Sequence, residues 1–574
     1  MTPVVALLAW AQAIAFVAVV TLLVQPAGAY LDKVFSGQRT PLDRVCAPIE
    51  AIIYRACGIR PAWSMSWVEY ARSFALFGFV GTMVLYAILR VQFLLPWYDA
   101  THLTTSMTPD LAANTAVSFS TTTTWQAYGG ETTMSYFTQL VGLAGQNFLA
   151  GAAGLAVGIA FIRALVVNGS GRIGNFWVDV VRAMLWVLLP ISLVGGAVLV
   201  WQGVPMTFGP YLAIPTLEGG SQTIARGPVA ALEFIKQLGT NGGGWFNVNG
   251  AHPFENPTPL ANFVELLAIA VLPASLTYTF GRMTGRRRDG WVLYGAMAVL
   301  FAAGVVAATL AESHGVRAVE QVSHTTGGSM EGKEVRFGVG ASTLTAVVTS
   351  NGATGSYNAM HDSFTPLGGM VPLINMLLGE ITFGGLGTGL VSMLLVALLA
   401  VFITGLMVGR TPAYLGKPVG ALEMKTVVLY TIIGPMSVLL ATGVAVIAPA
   451  GLAGLTTNMG PHGFTEIFYA FASAFANNGQ NFAGLNASSP FYNVTTGIVM
   501  MMGRFALGIT ALALAGCLAS RQHRAGAEIG SVPTDSLLFG GVVIATAILV
   551  GAVTYFPALT LGPLVEHLTN GAIP

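Results

Sequence analysis

The sequence is short of charge, and that shortage decides its class. Of 574 residues only 9% are Asp, Glu, Lys or Arg, against about 25% in ordinary soluble domains. With 54% hydrophobic residues, a row of soluble domains of roughly 150 residues each is excluded. The charge that remains is balanced, 25 basic against 24 acidic residues for a net +1, so no nucleic acid partner is implied. Cysteine is scarcer still. Cys46, Cys57 and Cys517 supply neither a disulfide framework nor a metal cluster. The 8 histidines show no His-x-x-x-His or similar spacing, which favours core or surface duty over metal binding. Glycine is abundant instead: 70 residues without a collagen period, a bias that membrane helices tolerate better than soluble ones. The chain reads as a polytopic membrane protein.

Apolar runs long enough for a hydrocarbon core of ~30 Å fall at 5–24, 73–95, 146–167, 181–201, 260–280, 291–311, 389–408, 426–448, 492–517 and 537–557. The first resembles a signal peptide, because Pro26-Ala27-Gly28-Ala29 looks like a small-residue cleavage site. Met1-Thr2-Pro3-Val4 carries no basic n-region, however, and the apolar run exceeds the usual ~7–15 residues. It is therefore expected to be a membrane helix. Ten spans put both termini on one side. The odd-to-even connections hold 18 of the 25 basic residues, among them Arg282, Arg286, Arg287, Arg288 and Arg410, and the even-to-odd connections only 5, including Arg317. By the positive-inside rule the termini are expected outside.

The even-to-odd connections carry the informative sequence. Each has a semi-apolar stretch too short to span, followed by a small polar tetrad. The first runs from 111–119 into Ser120, Thr121, Thr122, Thr123, Thr124, Trp125 and Gln126. The second runs from 229–238 into Gly239, Thr240, Asn241, Gly242, Gly243 and Gly244. The third places 341–348 before Thr349, Ser350, Asn351 and Gly352, and the fourth places 464–472 before Phe475, Ala476, Asn477, Asn478 and Gly479. Anchored on Thr124, Asn241, Asn351 and Asn478, the spacings are 117, 110 and 127 residues. A single Thr-Asn-Gly is ordinarily a turn; four in equivalent positions signal tandem units.

Each unit reads as helix, re-entrant half-helix, loop, helix, at 73–167, 181–280, 291–408 and 426–517. The spans at 1–24 and 537–557 are additions, with 5–24 and 181–201 as the alternative pair. The expected fold is a single all-α membrane domain, four pore-loop repeats around a pseudo-four-fold axis. Non-helical backbone at membrane depth requires protein or a watery cavity in place of lipid, so the loops are expected to line a pore. Glycine frees the backbone to turn successive carbonyls toward one axis, and rings of carbonyl oxygens replace the hydration shell of a monovalent cation. The tetrads contain no carboxylate, which disfavours a divalent-ion site.

Several strings resemble a known family over essentially the whole chain. They include 114–126 with Gly130-Glu131-Thr132-Thr133, 239–244, His252-Pro253-Phe254-Glu255-Asn256-Pro257-Thr258 and 330–338. Ala359-Met360-His361-Asp362-Ser363-Phe364-Thr365, Gly409-Arg410-Thr411-Pro412 and Gly460-Pro461-His462-Gly463-Phe464 belong to the same set. All are similar to KdpA, the potassium-binding subunit of the bacterial Kdp potassium-importing ATPase. The resemblance implies an inner-membrane protein that binds potassium at a filter near the outer surface. It implies a P-type ATPase partner (KdpB-like), a periplasm-exposed accessory subunit (KdpC-like) and a small single-span subunit (KdpF-like), together with membrane lipid. This sequence carries no Asp-Lys-Thr-Gly-Thr or Walker A pattern, so no bound nucleotide is expected and ATP coupling falls to the partner. The family's affinity-determining positions fall on Gln126, Gly242, Gly352 and Gly479. Familiar members have Asn within the first Thr-rich run, where this chain has Thr121 to Thr124.

Charges within or beside spans are functional candidates. Glu380 sits in a run containing Gly379, Gly384, Gly385, Gly387 and Gly389, too rich in glycine for an unbroken helix. It is expected to cross the pore below the filter as a gate, with Arg504 nearby. Arg90, at a span end, is expected to snorkel; Glu265 carries no preferred reading. A stand-alone channel or ion-coupled uptake system is the competing function, with a membrane-embedded enzyme third for want of a nucleophile–base pair.

Overall fold

The computed structural model describes residues 3–315, 328–409, 411–524 and 532–570; Arg317 and Arg410 lie outside them. The fold is built of helices, in chain order as follows. α1 is Pro3–Phe35 and α2 Asp43–Ala56; α3 is Trp67–Val91 and α4 Pro109–Ser120. The next two spans are α5 (Thr138–Val166) and α6 (Phe176–Gln202), followed by α7 (Val229–Leu238), α8 (Pro259–Met283) and α9 (Arg287–Ser313). Then come α10 (Gly338–Asn351), α11 (Pro366–Leu377), α12 (Thr388–Met407), α13 (Ala421–Ile447) and α14 (Gly460–Ala476). The chain closes with α15 (Pro490–Ser520), α16 (Leu537–Leu559) and α17 (Val565–Asn570).

Among the described residues ten helices are long and apolar enough to cross a membrane: α1, α3, α5, α6, α8, α9, α12, α13, α15 and α16. This is the number expected from the apolar runs. Their ends differ from the sequence reading. α1 continues to Phe35, eleven residues past 24, because its second half is anchored to α8. Gly28 abuts the Ser275 carbonyl and Tyr278, and Asp32 pairs with Arg282 at 2.7 Å. α2 lies in the first odd-to-even connection. A two-stranded hairpin (Leu212–Pro215 with Ser221–Ile224) similarly occupies the second even-to-odd connection.

The spans are not equivalent. The most apolar window of α5 is 83% buried and that of α8 72%, against 22% for α1, α3 and α13. α5 can sit at the centre because its interior is largely Gly and Ala, which lets backbones approach closely. At Gly154 and Gly158 an added Cβ would press on the Leu386 carbonyl and on Gly387. Short π-helical stretches lie in α5 (Thr138–Ala144), α6 (Ala183–Leu188) and α15 (Met502–Ala506), and such bulges reorient side chains at functional positions.

Candidate functional site

Each of the four even-to-odd connections holds a short helix that runs into its tetrad: α4, α7, α10 and α14. These helices end alike. Just past the helix end, two residues on in α4, α7 and α10 and one in α14, the chain turns left-handed, with φ of 65° at Thr122, 50° at Thr240, 50° at Ala353 and 57° at Asn477. The residue after it donates its N–H back to the carbonyl five positions earlier. The four bonds are Thr123 to Ser118 (2.9 Å), Asn241 to Lys236 (2.9 Å), Thr354 to Thr349 (3.2 Å) and Asn478 to Ser473 (3.0 Å). This is the bond pattern of a Schellman stop. A second positive φ follows at Thr124 (49°), Gly242 (81°), Gly355 (73°) and Gly479 (79°). Four equivalent tetrads therefore stand at 121–124, 239–242, 352–355 and 476–479.

These tetrads touch one another in a closed circle. The Thr124 hydroxyl donates to the Asn241 carbonyl. A Cβ on Gly242 would collide with the Thr354 carbonyl, one on Gly355 with the Asn478 carbonyl, and one on Gly479 with the Thr123 carbonyl. Asn477 also donates to the Thr123 hydroxyl at 3.0 Å. Glycine at three of the four last positions is thus set by both a left-handed backbone and a neighbouring carbonyl. The fourth has Thr124, whose hydroxyl caps the carbonyl it meets. The tetrad residues are buried, apart from the half-buried Ala476.

The third tetrad corrects the sequence register. Thr349, Ser350 and Asn351 are the last turn of α10, and Gly352 is only the first residue of the ring segment. The Thr349 and Ser350 carbonyls accept the Asn478 amide at 3.1 and 3.3 Å, and Asn351 bonds back to the Val347 carbonyl. Ala353, Thr354 and Gly355 hold the places that Thr240, Asn241 and Gly242 hold in the second segment. Sequence reading missed them because Thr-Ser-Asn-Gly imitates Thr-Asn-Gly three residues too early. The period would have revealed the slip: from Thr124 to Gly242, Gly355 and Gly479 the steps are 118, 113 and 124 residues, more even than those read above. Gln126 lies beside the ring and clasps the second connection, its Oε1 accepting from Gly244 N–H at 2.7 Å and its Nε2 donating to the Gly244 carbonyl at 3.1 Å. Gly243, with φ 73°, faces Gln126 and the Thr124 carbonyl.

Beneath the ring is a cavity of about 180 Å³. Its lining includes the second residue of every tetrad (Thr122, Thr240, Ala353 and Asn477), together with Glu380 and Arg504. The glycine-rich run does break the helix: residues 378–387 join α11 to α12, with positive φ at Gly379, Glu380, Phe383 and Gly387. The Leu386 N–H donates to the Thr240 hydroxyl at 2.8 Å, and Gly385 lies against Ala353. Gly384 packs on the Glu380 carbonyl and Gly389, and Gly387 on the Gly154 carbonyl. Glu380 Oε1 accepts the Asn478 side-chain amide at 2.8 Å. Arg504, in the π stretch of α15, donates to the Thr122 hydroxyl at 3.1 Å and to the Ala150 carbonyl at 2.7 Å. The two charges named from sequence thus meet different tetrads from below.

Further charged groups lie outside the ring, two of which, Arg90 and Glu265, the sequence had already named. Lys236 in α7 is fully buried between Glu233, at 2.6 Å, and Glu255. Its carbonyl accepts the Asn241 and Gly242 amides, and Glu255 also receives Phe246 N–H at 2.7 Å. Lys333 pairs with Glu312 at 2.7 Å, and Glu312 holds Thr365. Arg90 donates to the Met107 carbonyl just before α4, and Glu265 is buried in α8. Lys236–Glu255, Lys333–Glu312 and Glu312–Thr365 join groups 19 to 53 residues apart, beyond any local motif.

Together the fold and site define an all-α, multi-pass membrane protein whose short inward helices converge on a ring of neutral oxygens above a buried cavity. The model of the family described as "Potassium-transporting ATPase A subunit", KdpA, matches residues 14–568, and the chain belongs to that family. Among similar proteins is the potassium-transporting ATPase potassium-binding subunit of Methylobacterium radiotolerans, 51% identical over 563 residues and 98% of each chain. The protein of the same description from Rhodopseudomonas palustris is 49% identical over 98% of each chain. That from Granulibacter bethesdensis is 52% identical over 95% of this chain and 96% of its own.

Proposed function

We propose that the chain binds extracellular potassium at the four tetrads and passes it through the membrane as the ion-translocating subunit of an ATP-driven, high-affinity importer. The observation that carries this reading is the closed circle of four tetrads with a charged, glycine-broken segment directly beneath. The ring is neutral, so selection rests on oriented carbonyl and hydroxyl oxygens that replace the ion's water. The ends of α4, α7, α10 and α14 add partial negative charge, roughly half an elementary charge per helix. A monovalent cation is favoured there without the fixed carboxylates a divalent ion recruits.

The filter residues in this reading are Thr121 to Thr124 with Gln126, Thr240 to Gly243, Gly352 to Gly355, and Asn477 to Gly479. Thr349, Ser350 and Asn351 act as the support behind the third segment. Glu380, Gly384, Gly385, Gly387 and Arg504 form the gate, where a guanidinium opposes free passage of a cation. Energy comes from a P-type ATPase subunit (KdpB-like), with KdpC-like and KdpF-like subunits completing the assembly. Membrane lipid surrounds it, no nucleotide binds this chain, and the setting is the bacterial inner membrane with the termini outside. The basic connections and the named relatives support that arrangement. The blocking segment 378–387 favours this reading over a stand-alone channel.

The test is potassium-stimulated ATP hydrolysis and uptake by proteoliposomes carrying this chain with or without its ATPase partner. Stimulation and uptake are expected only with the partner. Sustained uptake by the chain alone would refute the assignment.

A further inference from the structure

A second polar centre lies away from the cavity. His462, in the first turn of α14, faces three carboxylates from three parts of the chain. Its Nε2 is 3.0 Å from Asp362 Oδ1 and 3.9 Å from Glu466 Oε1, and its Nδ1 is 2.8 Å from Glu566 Oε1 on α17. One ligand atom each from Asp362, His462 and Glu466 lies within 4.8 Å of the others. This is no solvated surface patch: the four side chains are exposed by 10% (Asp362), 19% (His462), 0% (Glu466) and 15% (Glu566).

We propose that Asp362, His462 and Glu466 form a binding site for a divalent transition-metal ion of borderline softness, zinc(II) by its ligand chemistry. Three features of the site lead there. A zinc site takes nitrogen from histidine and oxygen from carboxylates, with a water able to complete four-coordination. The imidazole of a metal-bound histidine characteristically gives its other N–H to a carboxylate, and Glu566 stands at Nδ1 in that role. Lastly, Glu466 Oε2 is buried with no hydrogen-bond partner, although Oε1 of the same carboxylate is held by Asn458 at 2.9 Å and approached by Thr457 at 3.3 Å.

Charge points the same way. Among the described residues no lysine or arginine pairs with Asp362, Glu466 or Glu566. The amino end of α14 supplies about half a positive charge and a protonated His462 one more, against three carboxylates. Calcium and magnesium prefer all-oxygen shells, so the imidazole selects a transition metal. A bound ion would tie together the turn that follows the third tetrad, the helix that carries the fourth, and the helix beyond the last span.

The test uses the full-length chain, purified in detergent after chelator treatment, in a Cys57→Ser background that removes the one exposed thiol. Calorimetric titration with zinc chloride is expected to give one ion per chain, weakened at least tenfold by Asp362→Asn and by His462→Gln. Glu566→Gln is expected to weaken binding by about tenfold, as outer-shell changes do. Zinc-edge absorption of the unmutated site should show one imidazole nitrogen among oxygen neighbours. Zinc affinity unmoved in Asp362→Asn and His462→Gln, or tighter binding of magnesium or calcium, would overturn the assignment. If either variant fails to fold, the absorption spectrum decides, and a shell lacking imidazole refutes it.

Discussion

Gly242→Ala perturbs the ring at its tightest point. The residue sits at φ 81°, where any L side chain costs about 1–2 kcal/mol. Its new methyl would also occupy the space of the Thr354 carbonyl oxygen, so the third segment must move. The backbone cost can be separated from the displacement. Gly285 has φ 73° in the turn between α8 and α9, and a Cβ there meets nothing within 4 Å. Gly285→Ala therefore carries the same strain and leaves the ring alone. In the assembled importer, the potassium concentration for half-maximal ATP hydrolysis is expected to rise at least tenfold for Gly242→Ala, a loss of about 1.4 kcal/mol. It should stay within twofold for Gly285→Ala. Equal shifts in the two variants, or none in a well-folded Gly242→Ala protein, would refute the reasoning that Gly242 is held by its neighbour's carbonyl at the potassium site.

Thr124→Val keeps shape and removes the hydroxyl that caps the Asn241 carbonyl; potassium-over-rubidium discrimination in a competitive ATPase assay should fall, while Thr124→Ser should largely preserve it. Arg504→Gln removes the cation that holds Thr122 and Ala150, and proteoliposomes should show potassium leak without ATP that the parent protein lacks. Lys236→Met leaves Glu233 and Glu255 buried without their cation, a defect worth about 3–5 kcal/mol. Thermal unfolding in detergent should begin well below that of the parent, and potassium should rescue little of the loss.

Much of the architecture was readable without coordinates because it follows from local composition. Helices facing lipid must satisfy their own backbone and present apolar side chains, and that requirement wrote ten spans into the sequence. Span ends were less legible. The helix through Pro26 to Phe35 persists because Gly28 and Asp32 meet Ser275, Tyr278 and Arg282 about 250 residues away. The tetrads were visible as polar breaks, glycine-bearing in all but the first, yet the third was misplaced by three residues because helix stopping depends on which residue can turn left-handed. At Ala353 the chain accepts that conformation despite a Cβ, which no propensity scale anticipates.

What the sequence alone determined is therefore the solvent in which the protein lives, the number of crossings, the family, and the approximate place of each polar break. These depend on residue type and spacing along the chain. Tertiary structure decided the closure of the four breaks into one circle, the bonds of Glu380 to Asn478 and Arg504 to Thr122, and the gathering of Asp362, His462, Glu466 and Glu566. Each joins groups some 100 to 380 residues apart, and such pairings exist only once the helices between them have packed.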